Sequence, residues 1–324
     1  MAQSIPKTTK QWNVTGQNGV ESLEFTEQSV SQLGDTQVLV KIRGASLNYR
    51  DIVISQGTFP WDSKLGVVPG SDGAGVVLAV GKNVTRFQPG DKVITVIYPQ
   101  LVGGSFTNGM TRYGLGASVD GCAGVTAWNA LFGLPGKQVS PGDWVLTQGT
   151  GGVSISALQF AKAVGARVIA TTSSSDKAKL LERLGADHII NYRETPEWGS
   201  VVKELTGGVG VDHVVEVAGP STMKQSALSV KLDGVIVILG SIGGGGEGKE
   251  MPGLLDCWMR LFTARGIWAG SRLQMEDMCR AIEANVEKLR PVVGPKVFTL
   301  EQVKEAYDYL ASGKHQGKVC IEID

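Results

Sequence analysis

Three glycines stand within four positions in the run Gly149-Thr150-Gly151-Gly152-Val153. Glycine lets a backbone approach a ligand closely, and a helix beginning at such a turn aims free N–H groups and the positive end of its dipole outward. A pyrophosphate is the natural guest. The run departs from the usual dinucleotide fingerprint at its last glycine, because Gly149-x-Gly151-x-x is followed by Ser154. A glycine pattern alone is a weak signal and needs its structural context.

The flanking residues supply that context. The apolar run Trp144-Val145-Leu146-Thr147 precedes the turn; Ile155, Leu158, Ala161 and Val164 follow it at helical spacing, with Gly165 as a stop and a second apolar run at 168–172. That is strand, tight turn, helix, strand. The alternation continues, with helices predicted at 177–184, 197–205 and 222–230 and strands at 188–191, 211–217 and 235–239. Continuous apolar strands need both faces covered, so the expected fold class is α/β with a doubly wound parallel sheet. Residues 1–121 read differently. β-Branched runs at 38–42 and 75–80, and the Pro89-Gly90-Asp91 turn before 92–97, predict a β region with short helical turns. The stretch from Tyr98 to Cys122 dissolves into glycine, serine and asparagine and predicts a loop. Near the end, Met275, Met278, Ile282, Val286 and Leu289 predict one amphipathic helix; Thr299 and Gln302 form a capping box before a helix carrying Val303, Tyr307 and Leu310; 318–323 predicts a strand returning to the first domain.

With 324 residues the chain exceeds the size at which one core usually stops growing, so two domains sharing a cleft are expected. Lysines plus arginines equal aspartates plus glutamates at 31 each, with no basic run, which argues against a nucleic-acid or membrane-surface partner and for a small-molecule ligand. The four cysteines lie far apart without C-x-x-C spacing, so neither a disulfide framework nor a cysteine zinc knuckle is indicated. The first residues, Met-Ala-Gln-Ser-Ile-Pro-Lys, carry no secretory apolar segment, and no run approaches the ~18 apolar residues of a membrane span. A cytoplasmic protein is expected.

Seven separated strings then converge in order: Asn48-Tyr49-Arg50-Asp51, Pro69-Gly70-Ser71-Asp72-Gly73-Ala74-Gly75, Pro89-Gly90-Asp91-Lys92-Val93, Thr126-Ala127-Trp128, Gly149-Thr150-Gly151-Gly152-Val153, Leu184-Gly185-Ala186-Asp187 with Asn191-Tyr192, and Gly240-Ser241. On them the chain resembles the medium-chain dehydrogenase/reductases, in particular the zinc-independent, quinone-oxidoreductase-like and enoyl reductase branch often labelled zinc-type alcohol dehydrogenase-like. The resemblance covers nearly the whole chain. It implies a GroES-like β domain over residues 1–121, a Rossmann domain over 122–272, and a C-terminal segment over 273–324 that closes the first domain, with a cleft between the two.

Zinc-dependent relatives carry a Cys near the position of Asn48 and Tyr49 and a His-Glu pair at Ser71-Asp72. A catalytic zinc needs about three protein ligands, and the three histidines, His188, His213 and His315, lie outside the β domain. No metal is expected. NAD-specific Rossmann sites place an acid about 20 residues past the glycines; here the strand ends Thr172-Ser173-Ser174-Ser175, and the first acid, Asp176, comes later, followed by Lys177. Together with Tyr192, at a position where NADPH-using relatives place phosphate-facing groups, this implies NADPH. Ser174 or Ser175 as a plain helix cap and Lys177 as a solvated side chain are the competing readings. The cofactor site implied by the resemblance comprises Thr126, Gly149, Thr150, Gly151, Gly152, Val153, Ser173, Ser174, Lys177, Tyr192, Gly240 and Ser241. Asn48 and Tyr49 are implied near the nicotinamide, orienting a carbonyl, with Tyr49 as proton donor or as a plain wall aromatic.

Without a metal the acceptor must spread its own developing charge, as quinones and conjugated carbonyls do. The expected activity is NADPH-dependent reduction of such a small-molecule carbonyl substrate; the alternative is a non-catalytic NADPH-binding protein with sensing or structural duties. Residues 261–269, with Ile267 and Trp268, imply a homodimer. Between residues 98 and 121 the chain is shorter than its relatives by a strand and a linker helix. Unpaired ladder groups there, each costing on the order of 1 to 3 kcal/mol if buried, predict weak turnover and first proteolytic nicking between Leu101 and Gly121.

Overall fold

The computed structural model describes residues 5–59, 64–107, 123–242 and 251–324. Residues 108–122, which hold most of the shortened stretch, lie outside the described residues. The chain opens with an antiparallel hairpin, β1 (Thr8–Val14) and β2 (Leu23–Ser29), in which Trp12 faces Phe25. β3 (Val38–Leu47) runs into a short helix, α1 (Tyr49–Ser55), and β4 (Asp72–Val80) pairs antiparallel with β3 and with β5 (Lys92–Ile94). Gly75 is demanded at the β3–β4 crossing, because a Cβ there would lie 2.1 Å from the Lys41 carbonyl oxygen. The strand predicted over 92–97 stops at Ile94, and the hairpin was not predicted at all. Its burial explains why: the start of β1 and most of β2 are exposed and largely polar, so the apolar alternation that marks a strand is confined to Trp12 and Val14 and to Leu23 and Phe25.

Residues 123–292 form a compact unit of their own. It contains α2 (Ala123–Phe132), β6 (Trp144–Gln148), α3 (Gly152–Val164), β7 (Arg167–Thr172), α4 (Ser175–Arg183), β8 (His188–Asn191), α5 (Trp198–Leu205) and β9 (Val211–Glu216). It continues with α6 (Met223–Ser229), β10 (Val230–Ile238), α7 (Leu254–Met259), β11 (Thr263–Gly266), α8 (Arg272–Ala284) and α9 (Val286–Leu289). The six strands are all parallel in the order β11-β10-β9-β6-β7-β8, the doubly wound arrangement expected from the alternating pattern. Val145, Leu146, Val168, Ile169, Val214, Val215 and Ile236 are buried, each stabilising the sheet by roughly 1.5 to 3 kcal/mol. Strand order reverses between β6 and β9, and ligands of such sheets lie beyond the carboxyl ends of the strands at that point.

Three details differ from expectation. β10 starts at Val230, with a register shift before Val235, so the preceding helix is shorter than 222–230. The single helix expected around Met275 to Leu289 is broken at Asn285 into α8 and α9. Both helices belong to the second unit, so the chain leaves it at Val293, not at 273. β12 (Val293–Thr299), α10 (Val303–Ala311) and β13 (Lys318–Glu322) then complete the first unit, whose sheet runs β12-β13-β3-β4-β5. Leu47, Ile52, Phe298, Tyr307, Val319 and Ile321 make its core.

Candidate functional site

The glycine run lies between β6 and α3. Gly149 has φ +77°, the left-handed region, and Gly151 is the residue from which α3 starts. No side chain caps that start and no acid lies in its first turn, although the first backbone N–H groups of any helix lack intrahelical partners. A Cβ placed on Gly149 or on Gly151 meets nothing within 4 Å. Among the described residues nothing covers the backbone here, which makes a cradle suited to a phosphate. Ser154, standing where the fingerprint has its third glycine, is buried and donates its hydroxyl to the Gln148 carbonyl at 2.6 Å. The small side chain is absorbed between helix and strand, so the missing glycine does not obstruct the turn.

Beyond the ends of β7 and β8 the predicted phosphate-side residues come together. Ser174 caps α4, accepting the Lys177 N–H at 3.4 Å. Tyr192, exposed, follows β8 and its N–H reaches the Thr172 carbonyl, which places it beside Ser173. Burial, and then the charge of Arg193, lower the pKa of Lys177. The two cations therefore repel each other at this strand end, while the nearby acids are engaged elsewhere, Asp176 with Lys179 and Glu194 with Asn191. Arg193 escaped the sequence reading; its signal was only its place after Tyr192.

On the other side of the switch point, Gly240 and Ser241 follow β10 at the surface. Next to them is Glu216, the last residue of β9, with none of its surface exposed. Gln148, Ser226, Ala218, Gly219 and Thr222 all donate to its carboxylate. Thr126 is buried on α2. The acid inside the apolar run Val214-Val215-Glu216-Val217 was the sequence signal that was missed.

In the first unit, the Asn48 side chain is held on every side. Its Nδ2 donates to Ser71 Oγ and Asp72 Oδ2, both at 3.0 Å, and its Oδ1 accepts Lys318 Nζ at 2.6 Å. Lys318 also donates to the Leu47 carbonyl at 2.9 Å and lies 3.0 Å from Asp72 Oδ2, and Ser46 adds a further bond to the same oxygen. Asp51 accepts the Asn48 N–H at 2.8 Å; burial pushes its carboxyl up against the opposing pull of Arg50 and of that N–H. Tyr49, the first residue of α1, is 40% exposed. Asn48 is thus committed within the protein, while Tyr49 presents its ring to solvent. Lys318 was not singled out in the sequence, although a lysine opening a strand that pairs inside a sheet was available as a hint.

Among the described residues no group of three or more His, Cys, Asp or Glu side chains is placed to hold a metal ion. The positions that the resemblance equates with zinc ligands hold Asn48, Ser71 and Asp72, bonded to one another and to an ammonium group; this donor set does not fit a zinc ion. Of the histidines, His213 is buried in β9, His188 stacks on Trp144, and His315, expected outside the β domain, belongs to the first unit with its ring against Tyr309. A cavity of about 370 Å³ lies at the amino ends of β6, β9 and β10, lined by Lys137, Asp143, Asp212, His213, Lys231 and Asp233. It is at the opposite sheet end from the glycine turn, and its charges pair among themselves, Lys231 with Asp212 and Lys137 with Asp233.

Two family models match in tandem, an alcohol dehydrogenase GroES-like domain over residues 34–141 and a zinc-binding dehydrogenase over residues 152–284. The chain is 40% identical to a zinc-type alcohol dehydrogenase-like protein of Schizosaccharomyces pombe, over 95% of this chain and 97% of that one. It is 30% identical to a quinone oxidoreductase of Sus scrofa over 89% of each. The crystal structure of an NAD-dependent alcohol dehydrogenase, 30% identical, superimposes over 98% of this chain and 100% of its own with a TM-score of 0.84.

Proposed function

The chain belongs to the medium-chain dehydrogenase/reductase superfamily, as an oxidoreductase of the zinc-type alcohol dehydrogenase-like kind, and from that premise we propose that it reduces a quinone or an α,β-unsaturated carbonyl with NADPH and without a metal. The observation that carries the metal-free reading is the Lys318, Asp72 and Asn48 cluster. A catalytic zinc needs about three protein ligands and an open position, and here those positions are bonded to one another and to a fixed cation. With no Lewis acid to take up an alkoxide charge, the acceptor must delocalise it, which a conjugated carbonyl does and a saturated aldehyde does not.

A nicotinamide dinucleotide fits the second unit, with its pyrophosphate over Gly149, Thr150, Gly151, Gly152 and Val153. Bound there, it supplies the hydride. Lys177 and Arg193, with Ser173, Ser174 and Tyr192, are proposed to take the 2′-phosphate, because two mutually repelling cations gain from a dianion between them. Gly240, Ser241 and Thr126 are proposed at the carboxamide. In the first unit Asn48 is proposed to position and the Tyr49 phenol to orient the substrate oxygen.

The partner is proposed to be a second copy. β11 is the sheet's edge strand, and the residues before it, Met251, Leu254, Leu255, Trp258, Met259 and Leu261, are exposed, more apolar surface than a monomer usually leaves in one place. Ile267 instead packs on Ala130, Val235 and Val237, so the apolar contact is proposed to centre on α7 and Leu261 rather than on Ile267. No described helix is long and apolar enough to cross a membrane.

The test is NADPH oxidation by purified protein against quinones, enones and saturated aldehydes, with metal analysis on the same sample. Turnover confined to saturated aldehydes or alcohols, or one tightly held zinc per chain, refutes the proposal.

A further inference from the structure

Glu216 places a carboxylate with no exposed surface at the end of β9, directly after the buried apolar pair Val214 and Val215. A buried charge is tolerated only when its lone pairs are met, and the identity of the groups that meet this one is informative. Oε2 accepts Gln148 Nε2 at 2.7 Å and the Ser226 hydroxyl. Oε1 accepts the Ala218 N–H at 3.0 Å, the Gly219 N–H at 2.9 Å and the Thr222 hydroxyl at 2.6 Å. Gln148 turns its own Oε1 to the Val217 N–H at 3.1 Å.

Gln148 is the last residue of β6 and Glu216 the last of β9. These two strands flank the switch point, so the pair bridges the foot of the crevice, with the glycine turn on one side and the loop 217–222 on the other. That loop is folded around the carboxylate and rests on the next strand end. Gly219 has φ +76°, and a Cβ on it would lie 2.9 Å from Ser241 Cα and 3.1 Å from the Gly240 carbonyl oxygen. The Leu239 N–H reaches the Glu216 carbonyl, and the Ile242 N–H reaches that of Val217.

We propose that Glu216 is a positioning residue for the nicotinamide end of the cofactor, acting through the loop 217–222 on Gly240 and Ser241. The inference rests on the nicotinamide dinucleotide reading above. It assigns Glu216 no contact with the cofactor, and it leaves the adenosine end, at β7 and β8, independent of it.

Glu216→Gln tests this with little change of shape. If the new amide oxygen serves Ala218, Gly219 and Thr222, its Nε2 faces Gln148 Nε2, donor against donor; a flip of Gln148 relieves that only by withdrawing the acceptor from the Val217 N–H. The exchange variant Gln148→Glu with Glu216→Gln restores a carboxylate–amide pair at the same charge. The probes are NADPH and 2′-phospho-ADP-ribose, which lacks the nicotinamide, titrated by calorimetry. Losing hydrogen bonds to a charged group predicts about tenfold weaker NADPH binding in Glu216→Gln, about twofold or less change for 2′-phospho-ADP-ribose, and recovery of most of the loss in the exchange variant. Should Glu216→Gln fail to fold, Thr222→Val removes one bond at the half-exposed loop end and shows the same pattern at about threefold. Equal losses for both probes, no loss in a folded variant, or an exchange variant that does not recover overturns the positioning role. A native protein that binds neither probe overturns the cofactor reading instead.

Discussion

Two helices begin at the residues that matter most here, and they begin in opposite ways. α1 starts after Asn48, whose side chain bonds Ser71, Asp72 and Lys318 while Asp51 takes its N–H. α3 starts at Gly151 with no acid in its first turn and, among the described residues, no capping side chain and nothing where a side chain would stand. Polar groups satisfied by one another make a rigid support; groups left for something outside the chain make a binding surface. A glycine cap costs only a few tenths of a kcal/mol relative to serine or aspartate, so leaving α3 uncapped is cheap in stability and large in consequence.

Filling the open start sets stability against binding most sharply. Gly151 has φ −77° and ψ 169°, a conformation any residue adopts, so Gly151→Asp supplies a good cap and a favourable charge at the helix dipole, together worth roughly 0.5 to 1 kcal/mol. The same carboxylate repels a pyrophosphate, and like-charge juxtaposition costs several kcal/mol. Expected are a slightly higher Tm and a loss of at least about a hundredfold in NADPH affinity. Unchanged affinity in calorimetry would break the comparison.

Opening the closed start is next in size. Lys318→Met leaves Asp72 without its cation and Asn48 Oδ1 without its donor. Both charged side chains are 15% exposed, so the cost falls below the ~3 to 5 kcal/mol of a fully buried pair, at about 2 kcal/mol by urea unfolding. NADPH affinity is expected to stay within about twofold, because none of these groups belongs to the glycine turn. A large loss of cofactor binding would show that the two starts are not independent.

How far each start was legible in the sequence follows from the same contrast. The open one was read because glycine spacing, apolar strands and helical period are local signals, and each survives when a neighbour is misjudged. The parallel sheet came with them. The closed one was not, because Lys318 is 270 residues from Asn48 and nothing near either residue announces the other. Glu216 and Gln148, 68 residues apart, were hidden for the same reason, and so was the partnership of Arg193 with Lys177. The β1 and β2 hairpin failed differently: its largely exposed and polar strands carry too short an apolar alternation to read.

Within the open site, the cofactor's phosphate end sharpens the comparison further. Lys177→Ala or Arg193→Ala should each weaken NADPH by roughly 1 to 2 kcal/mol while NADH changes little, measured by fluorescence titration; equal losses for both cofactors would refute the assignment. Because burial and Arg193 lower the pKa of Lys177 from its ordinary 10.5, the NADPH preference should fade with rising pH earlier than for an unperturbed lysine. Arg193→Ala should move that fading to higher pH.

The smallest effect belongs to a closed region inside the second unit, at the amino ends of the strands. His213 is 5% exposed, and its Nε2 lies 2.8 Å from the Lys137 carbonyl. A carbonyl only accepts, so Nε2 carries the proton, and Nδ1 is a bare lone pair, buried and without a partner among the described residues. Protonating the ring would bury an N–H with no acceptor. Burial therefore lowers its pKa from 6.5, with the Lys137 carbonyl, Asp143 and Asp212 pulling the other way and Lys231 adding to the lowering. A base whose pKa is depressed by folding binds fewer protons folded than unfolded, so its contribution is full above pH 6.5 and is lost as pH falls from there toward the folded value. His213→Gln keeps a donor for the Lys137 carbonyl and has nothing to titrate. The native protein should lose a few degrees of Tm more than the variant between pH 7 and pH 5, with the two alike above pH 7 in this respect. Parallel Tm curves across that range would mean that Nδ1 finds an acceptor when protonated, and that this end of the sheet is not closed in the way the Asn48 cluster is.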